Sequence, residues 1–388
     1  MRFSQRTNWD TTETELARAH RLRAQAGLAI ADLTVSNPTR CGFAYDPTLL
    51  AAFDDPQALE YDPQPMGTLR ARQAVCGYYA DHGVSVEPSQ VLLTTSTSEA
   101  YSFLFRLLCD PECEILVPQP SYPLFDFLAG LDDVKLKSAP LVYDHGWQID
   151  PEGFRRAITP RTRAIVLVHP NNPTGHFTKP WETGEIARLC REFNAPIIVD
   201  EVFMDYGIDG ECRSFTSGID GVDVFVVSGL SKIAALPQMK AAWIVVSGPA
   251  SEQALGRLEV IADTFLSMSA PVQCALPAWL AGRASIQAQI ASRVAANLAE
   301  LDRCLAQQQG IERLVMEGGW YAVLRIPALD PDEQTVLALL DRGVWVHPGY
   351  FFGMPESGWL VVSLLAPAPG FAVGVALLME YFRDREGN

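Results

Sequence analysis

Positive charge is scarce in this sequence. Its 388 residues include 30 Lys and Arg against 46 Asp and Glu, a net charge of −16. Proteins that bind nucleic acid or anionic membranes neutralise phosphates with clustered Lys and Arg, so we expect neither partner. Long hydrophobic runs are also missing, because no apolar stretch reaches the ~18 residues of a membrane span. The polar N-terminal residues offer no apolar signal-peptide core, and we therefore expect a cytoplasmic protein.

The eight cysteines form no framework that would predict disulfide bonds or a metal site. Cys109 and Cys113 are spaced like a ligand pair, but no second pair and no histidine stands beside them, so reduced thiols and no bound metal are expected. The motifs H-E-x-x-H and G-x-G-x-x-G are absent as well. Their absence argues against a metal hydrolase and a nicotinamide-dependent oxidoreductase.

Short, continuously apolar runs alternate with helical patterns in the middle of the chain. The runs cover residues 114–117, 164–169, 196–200, 223–228 and 242–247. Runs without a period of two predict strands that are covered on both faces, and their alternation with helices predicts a mostly parallel α/β sheet. From about residue 251 onwards, longer helical patterns and two short strand candidates predict a second, smaller α+β unit.

Three of the apolar runs are followed at once by polar residues. Asn172, Asp200 and Lys232 stand where the strands are expected to end, and ligands of open α/β sheets bind at the carboxyl ends of the strands. Each residue alone could belong to an ordinary turn. Together, an amine, a carboxylate and an amide are what a pyridinium aldehyde cofactor needs for a Schiff base, a protonated ring nitrogen and a hydrogen-bonded phenolic oxygen.

The order of seven motifs resembles the class I/II aminotransferases, which are fold-type I pyridoxal 5′-phosphate (PLP) enzymes. The motifs are SNPT (36–39), YDPQPMGTLR (61–70), TSTSEA (95–100), PQPSYP (118–123), NNPTG (171–175), DEVF (200–203) and SGLSK (228–232). The resemblance implies an α/β fold with a mostly parallel central sheet in a large PLP-binding domain (residues 51–270). It also implies a smaller C-terminal α+β domain (271–388), an N-terminal segment (1–50) packed with that small domain, and a homodimer with active sites at the interface.

The resemblance also implies roles for individual residues. Lys232 would form the Schiff base and carry the proton between substrate Cα and cofactor C4′, Asp200 would pair with the pyridinium nitrogen, and Asn172 would donate to O3′. Tyr122 would stack on the ring. The phosphate would lie on Ser96, Thr97 and Ser98 at a helix N-terminus. Tyr61 would reach the phosphate of the neighbouring subunit. Lys240 stands where the family has a phosphate-binding arginine.

Two further positions depart from the family pattern. Phe203 replaces a tyrosine that donates to O3′, which predicts a Schiff base that is protonated at neutral pH unless Tyr206 supplies a donor. Val361 replaces the arginine that binds the substrate α-carboxylate. An unpaired buried carboxylate is costly, so Arg40, beside Asn37 of SNPT in the expected substrate pocket, or Arg325 would have to take its place. Alternatively, the substrate has no free α-carboxylate.

We therefore expect a PLP-dependent aminotransferase that moves an amino group between a small or apolar amino acid and a 2-oxo acid by a ping-pong reaction. A PLP-dependent lyase, a decarboxylase and an amine transaminase remain alternatives, because all of them start from the same cofactor chemistry.

Overall fold

The computed structural model describes residues 1–208, 213–266 and 268–386. The helices are α1 Glu15–Gln25, α2 Leu69–Asp81, α3 Thr97–Leu108, α4 Phe125–Leu131, α5 Pro151–Ala157, α6 Pro180–Phe193, α7 Leu230–Ile233, α8 Ser251–Phe265, α9 Ala270–Ala281, α10 Arg283–Leu305, α11 Asp332–Asp341 and α12 Ala368–Glu386. The strands are β1 Ala31–Asp32, β2 Val91–Thr94, β3 Glu114–Gln119, β4 Lys135–Tyr143, β5 Trp147–Ile149, β6 Thr162–Val168, β7 Ile197–Asp200, β8 Val224–Gly229, β9 Ala242–Ser247, β10 Glu312–Arg313, β11 Tyr321–Arg325, β12 Val344–Trp345, β13 His347–Pro348 and β14 Trp359–Ser363.

The large domain is built on a mostly parallel sheet with the strand order β2-β9-β8-β7-β6-β3-β4-β5. Its central strands pair in parallel, whereas the pairs that include β9 or β5 are antiparallel. Strands β7 and β8 are buried along their whole length, because helices cover both faces of the sheet. The apolar runs without alternation therefore predicted the central strands correctly.

The small domain is built on an antiparallel sheet with the order β10-β11-β14-β13. Along each strand of this sheet, successive side chains face opposite sides of the sheet. Val323 and Val361 are cross-strand partners that pack with the core of the large domain, and Ala322 and Val362 pack with a second core that includes α10 and α12. Helices cover one face of this sheet, and the other face is turned towards the large domain.

The N-terminal segment joins the small domain through a short parallel pair of strands. Ala31 and Asp32 of β1 pair with Val344 and Trp345 of β12. Residues 1–10 lie elsewhere, since Trp9 packs against Phe127 of α4 with ring centroids 5.7 Å apart.

Helix α9 packs with the large domain, although the expected domain boundary at residue 271 assigns it to the small domain. Its residues Leu276 and Trp279 are buried in the same core as Val75 and Tyr79 of α2, a helix of the large domain. The polypeptide thus packs with the large domain for about one helix longer than the sequence suggests.

In the part of the chain that the structure describes, no helix is both long enough and apolar enough to cross a membrane.

Candidate active site

Three neighbouring strands of the large sheet end at the same edge, and a polar residue stands at or just after each end. Val168 of β6 and Val227 of β8 are both cross-strand partners of Asp200 at the end of β7. Asn172 follows Val168 by four positions, and Lys232 follows Val227 by five. The sheet register therefore brings Asn172, Asp200 and Lys232 to one edge.

Lys232 lies in α7, directly after β8, with its amine among aromatic rings. Its Nζ is 4.9 Å from the centroid of the Trp320 ring and 5.5 Å from that of Phe203. Burial lowers the pKa of Lys232 to about 8, although the Asp200 carboxylate acts in the opposite direction. Gly229 permits this placement, since a Cβ there would come within 2.8 Å of the Ala242 Cβ. The amine is accordingly closer to its neutral, nucleophilic form than an exposed lysine.

Asp200 is buried, and both of its carboxylate oxygens are held. Its Oδ2 accepts a hydrogen bond from the Tyr101 hydroxyl at 3.1 Å, and its Oδ1 accepts one from the Val202 backbone N–H at 3.1 Å. Burial raises the pKa of Asp200 to about 6, while these hydrogen bonds and the charge of Lys232 oppose the rise. Such a carboxylate is preorganised to receive a positively charged N–H group.

Buried polar atoms without a partner mark the same region. Asn172 Oδ1, Ser228 Oγ and Trp320 Nε1 are buried and make no hydrogen bond within the described residues. Buried polar groups are nearly always paired, so these atoms indicate space for a polar ligand. The Asn172 amide can present its NH2 group at the same place after a half turn. The atoms fit a cofactor with a phenolic oxygen, a ring nitrogen and an aldehyde.

The expected phosphate position lies at the N-terminus of α3. Ser96 caps the helix, and its Oγ accepts the Glu99 N–H at 3.1 Å, which leaves its O–H able to donate to a phosphate. The hydroxyls of Thr97 and Ser98 make no hydrogen bond that the structure records among its described residues. Lys240 is exposed and lies two positions before Ala242, which pairs with Thr94 at the end of β2. Helix dipole, hydroxyls and a lysine thus meet at the same edge of the sheet.

Tyr122 stands beside the same edge and is 38% exposed. Burial raises the pKa of Tyr122 to about 12, with smaller contributions from Asp200 and Tyr321. The electrostatic influence of Asp200 on this hydroxyl places Tyr122 near the carboxylate. Its ring packs edge-on against Phe125, with centroids 5.8 Å apart.

Phe203 and Tyr206 both contact Trp320, but neither supplies a free donor. Phe203 meets the Trp320 ring edge-on at 5.2 Å, and Tyr206 does so at 5.0 Å. The Tyr206 hydroxyl donates to the backbone oxygen of Lys232 at 2.7 Å. The expectation that Tyr206 could replace the missing O3′ donor is therefore wrong, because its hydroxyl is held by the backbone.

The SNPT segment lies close to Lys232. Burial raises the pKa of the Cys41 thiol to about 11, while the charges of Arg293 and Lys232 lower it, so Cys41 is within electrostatic reach of the lysine. Arg40 precedes Cys41, is exposed and makes no side-chain hydrogen bond or ion pair that the structure records among its described residues. Asn37 is committed locally, because its Oδ1 accepts from the Thr39 N–H and hydroxyl.

Arg325 is not brought to this cluster. It stands four residues after Tyr321 on β11, roughly 13 Å along an extended strand, whereas the Tyr321 hydroxyl lies close to Ser36 of SNPT. Val361, at the position of the expected arginine, is fully buried and pairs with Val323 and His347. The wall formed by Val323 and Val361 is apolar.

Tyr61 is also separate from the cluster within one chain. Its side chain is 80% exposed, and it lines a cavity of about 300 Å³ together with Arg70, Leu93 and Gln273. Leu93 belongs to β2, the strand that precedes the Ser96 turn, so this cavity lies next to the start of α3 on the outside of the protomer.

Sequence reasoning misses the support that Tyr101 gives to the site. The spacing of Tyr101 places it on the apolar face of a helix, and its hydroxyl contact with Asp200 depends on how α3 packs across the sheet. Trp320 can be predicted from the sequence only as one of several aromatic residues of a pocket wall, without its contact with Lys232.

Comparisons with known proteins agree with this arrangement. A family model described as aminotransferase class I and II matches residues 49–368, and the chain belongs to this family. The fold is that of the fold-type I aminotransferases, and the protein is an enzyme of that type.

Individual relatives are moderately similar and match over most of their length. The glutamate-pyruvate aminotransferase AlaA of Haemophilus influenzae is 26% identical over 88% of this chain and 87% of its own. An alanine aminotransferase of Mycobacterium bovis is 28% identical over 94% of this chain and 87% of its own. The structure of an alanine aminotransferase from Pyrococcus furiosus covers 99% of this chain and 100% of its own with a TM-score of 0.90 at 24% identity, a likeness of fold.

Proposed function

We propose that this protein is a PLP-dependent aminotransferase that exchanges an amino group between a small or apolar 2-amino acid, such as alanine, and a 2-oxo acid. The observation that carries the proposal is the convergence of a buried amine, a buried carboxylate and an unpaired amide, within the described residues, on one sheet edge. The relatives from Haemophilus influenzae and Mycobacterium bovis are named as glutamate-pyruvate and alanine aminotransferases, which supports the alanine class of substrate.

In this proposal each residue at the edge has a defined task. PLP, when bound, supplies an electron-withdrawing ring that stabilises negative charge at the substrate Cα. Lys232 would hold the cofactor covalently and then carry a proton between Cα and C4′. Asp200 would keep the ring nitrogen protonated, and Asn172 would donate to the phenolic oxygen. Tyr122 would pack on the ring, and Ser96, Thr97, Ser98 and Lys240 would bind the phosphate.

The proposal is tested with the PLP-loaded enzyme, L-alanine and 2-oxoglutarate. We expect pyruvate and glutamate to form in equal amounts, and no ammonia to appear. Omission of 2-oxoglutarate should limit pyruvate to one equivalent per active site. Continuous release of ammonia or CO2 from an amino acid without a 2-oxo acid would instead identify a lyase or a decarboxylase and contradict the proposal.

PLP uptake by the cofactor-free protein should accelerate as the pH rises, with a midpoint near pH 8. Only the neutral amine attacks the aldehyde, and burial lowers the pKa of Lys232 to about 8. Above this pH most of the lysine is neutral, and below it the protonated fraction slows the reaction. Stopped-flow absorbance between pH 6 and pH 10 measures the rate. A midpoint near pH 10, the range of an ordinary lysine, would contradict the burial that the structure assigns to Lys232.

Arg40 is proposed to bind the substrate carboxylate in place of an arginine at position 361. Its guanidinium is unpaired among the described residues, and its neighbour Cys41 lies within electrostatic reach of Lys232. Arg40→Gln should raise KM for L-alanine about tenfold to a hundredfold, the strength of a charge-assisted hydrogen bond, and leave kcat within about threefold.

The matched control for Arg40 is Arg18→Gln on α1, an equally exposed arginine, for which KM should not change. The initial rates of both variants are measured over a range of alanine concentrations. If Arg40→Gln has the same KM as the unmodified enzyme, another group binds the carboxylate, or the true substrate lacks one.

We also propose that the enzyme is a homodimer in which Tyr61 contacts the phosphate region of the partner. Large apolar side chains are exposed around Tyr61, with Leu59 92% and Leu266 60% accessible in the single chain. Leu266 lines the same cavity as Tyr61, and exposed apolar side chains that lie together are typical of protein–protein contacts. The cavity that Tyr61 lines beside β2 supports a shared site.

A further inference from the structure

A second cavity of about 450 Å³ lies between the two domains, away from the active-site cluster. We call it the interdomain cavity. Tyr143 and Trp147 line it from the β4–β5 edge of the large sheet, and Arg325 and Trp359 line it from the small sheet. Neither Lys232 nor Asp200 nor Asn172 lines it. Its volume is in the range of sites for small organic ligands.

Arg325 lines this cavity with 47% of its side-chain surface exposed, and its N–H groups make no hydrogen bond that the structure records within its described residues. The guanidinium lies 5.7 Å from the ring centroid of Tyr143 and 5.3 Å from that of Trp359. The Glu312 carboxylate lies 3.8 Å from its Nη1, an exposed ion pair that is too long for a hydrogen bond. The two aromatic rings flank the guanidinium, and its fork suits a carboxylate.

Trp147 gives an independent indication of a ligand. Its side chain is buried, with 6% of its surface exposed, yet its indole Nε1 has no hydrogen-bond partner within the described residues. A buried indole N–H is normally paired. Other polar groups of the cavity are satisfied inside the protein: Gln119 Nε2 donates to the Gly353 carbonyl, and Trp359 Nε1 donates to the Pro355 carbonyl.

We propose that the interdomain cavity binds a small planar aromatic carboxylate. The carboxylate pairs with the Arg325 fork, the ring lies among the aromatic and apolar side chains, and a ligand oxygen accepts the Trp147 N–H. This binding does not depend on the proposed transamination.

Calorimetric titration of the PLP-loaded enzyme with indole-3-carboxylate tests the proposal. This probe has neither an amino nor a keto group and cannot be transaminated. We expect saturable binding at one site per chain, at least about tenfold weaker binding to Arg325→Gln, and a similar loss when indole-3-carboxamide replaces the carboxylate. Trp147→Phe, which keeps a ring but removes the N–H, should weaken binding about threefold to tenfold.

Two control variants distinguish the interdomain cavity from the active site and from arginines elsewhere on the surface. Arg342→Gln removes an arginine that also stacks on a tyrosine ring, Tyr381, outside the cavity, and should leave the affinity unchanged. Arg40→Gln, which removes the group proposed to bind a carboxylate in the active site, should bind the probe as well as the unmodified enzyme, which excludes the active site. Absence of binding to the unmodified enzyme, equal affinity for carboxylate and carboxamide, unchanged affinity in Arg325→Gln, or loss of binding in Arg40→Gln would each overturn the proposal.

Discussion

Replacement of Lys232 by alanine is expected to lower the transamination rate by about four orders of magnitude. The variant loses the covalent attachment of the cofactor and the group that moves the proton between Cα and C4′, and positioned proton transfer alone contributes roughly 10²–10⁴-fold. The loss should appear in kcat. Initial rates with L-alanine and 2-oxoglutarate at saturating PLP measure it.

The control for this variant is Lys135→Ala. Lys135 is an exposed lysine of β4 that pairs with Glu112, and its loss should leave the rate unchanged. Thermal unfolding should show that both variants are folded. If Lys232→Ala kept more than about a tenth of the activity, Lys232 would be neither the attachment point nor the proton carrier.

Asp200→Asn should reduce kcat by about 10²–10³-fold, the usual effect of removing one preorganised electrostatic group from a site that excludes water. The amide has the same shape, but it cannot hold a proton on the ring nitrogen by charge. Because burial already raises the pKa of Asp200 to about 6, the neutral amide should not destabilise the cofactor-free protein. Rate measurements and thermal unfolding of the same preparation therefore separate catalysis from folding.

Tyr101→Phe provides a graded comparison for Asp200. It removes one hydrogen bond to the carboxylate and keeps the charge, so we expect a loss of about twofold to tenfold. If Asp200 acts through its charge, Asp200→Asn must lower the rate more than Tyr101→Phe. Equal effects of the two variants, or a rate for Asp200→Asn within about threefold of the unmodified enzyme, would show that the carboxylate charge does not act on the cofactor.

The polar residues at the active-site edge of the large sheet can be predicted from the sequence, because the pattern that identifies them is local. Each buried strand is a short apolar run, and the polar residue that matters follows within a few positions, as Lys232 follows β8. The contacts of Tyr101 and Trp320 cannot be predicted in this way, since they depend on packing across α3 and between the two domains. Tyr206 illustrates the same limit: its position beside the site is foreseeable, but the bond to the Lys232 carbonyl is not.

Edge elements and domain boundaries are the least predictable parts of the fold. Strand β4 begins with Lys135 and contains Lys137 and Pro140, and most of its side chains are exposed, so it lacks the apolar run that marks the central strands. Helix α9 contains Pro277 in its interior, a residue that usually interrupts helices. Charge alone suggests Arg325 for the substrate pocket, whereas the direction of β11 places it in the interdomain cavity.

Reductive trapping of the cofactor tests the central claim most directly. The chain contains few lysines: Lys135, Lys137, Lys179, Lys232 and Lys240. Sodium borohydride treatment of the PLP-loaded enzyme, followed by proteolysis and mass spectrometry, identifies the lysine that is linked to the cofactor. We predict a single phosphopyridoxyl group on Lys232. A label on Lys240 or on any other lysine, or no label after saturation with PLP, would contradict the assignment of this sheet edge as the cofactor site.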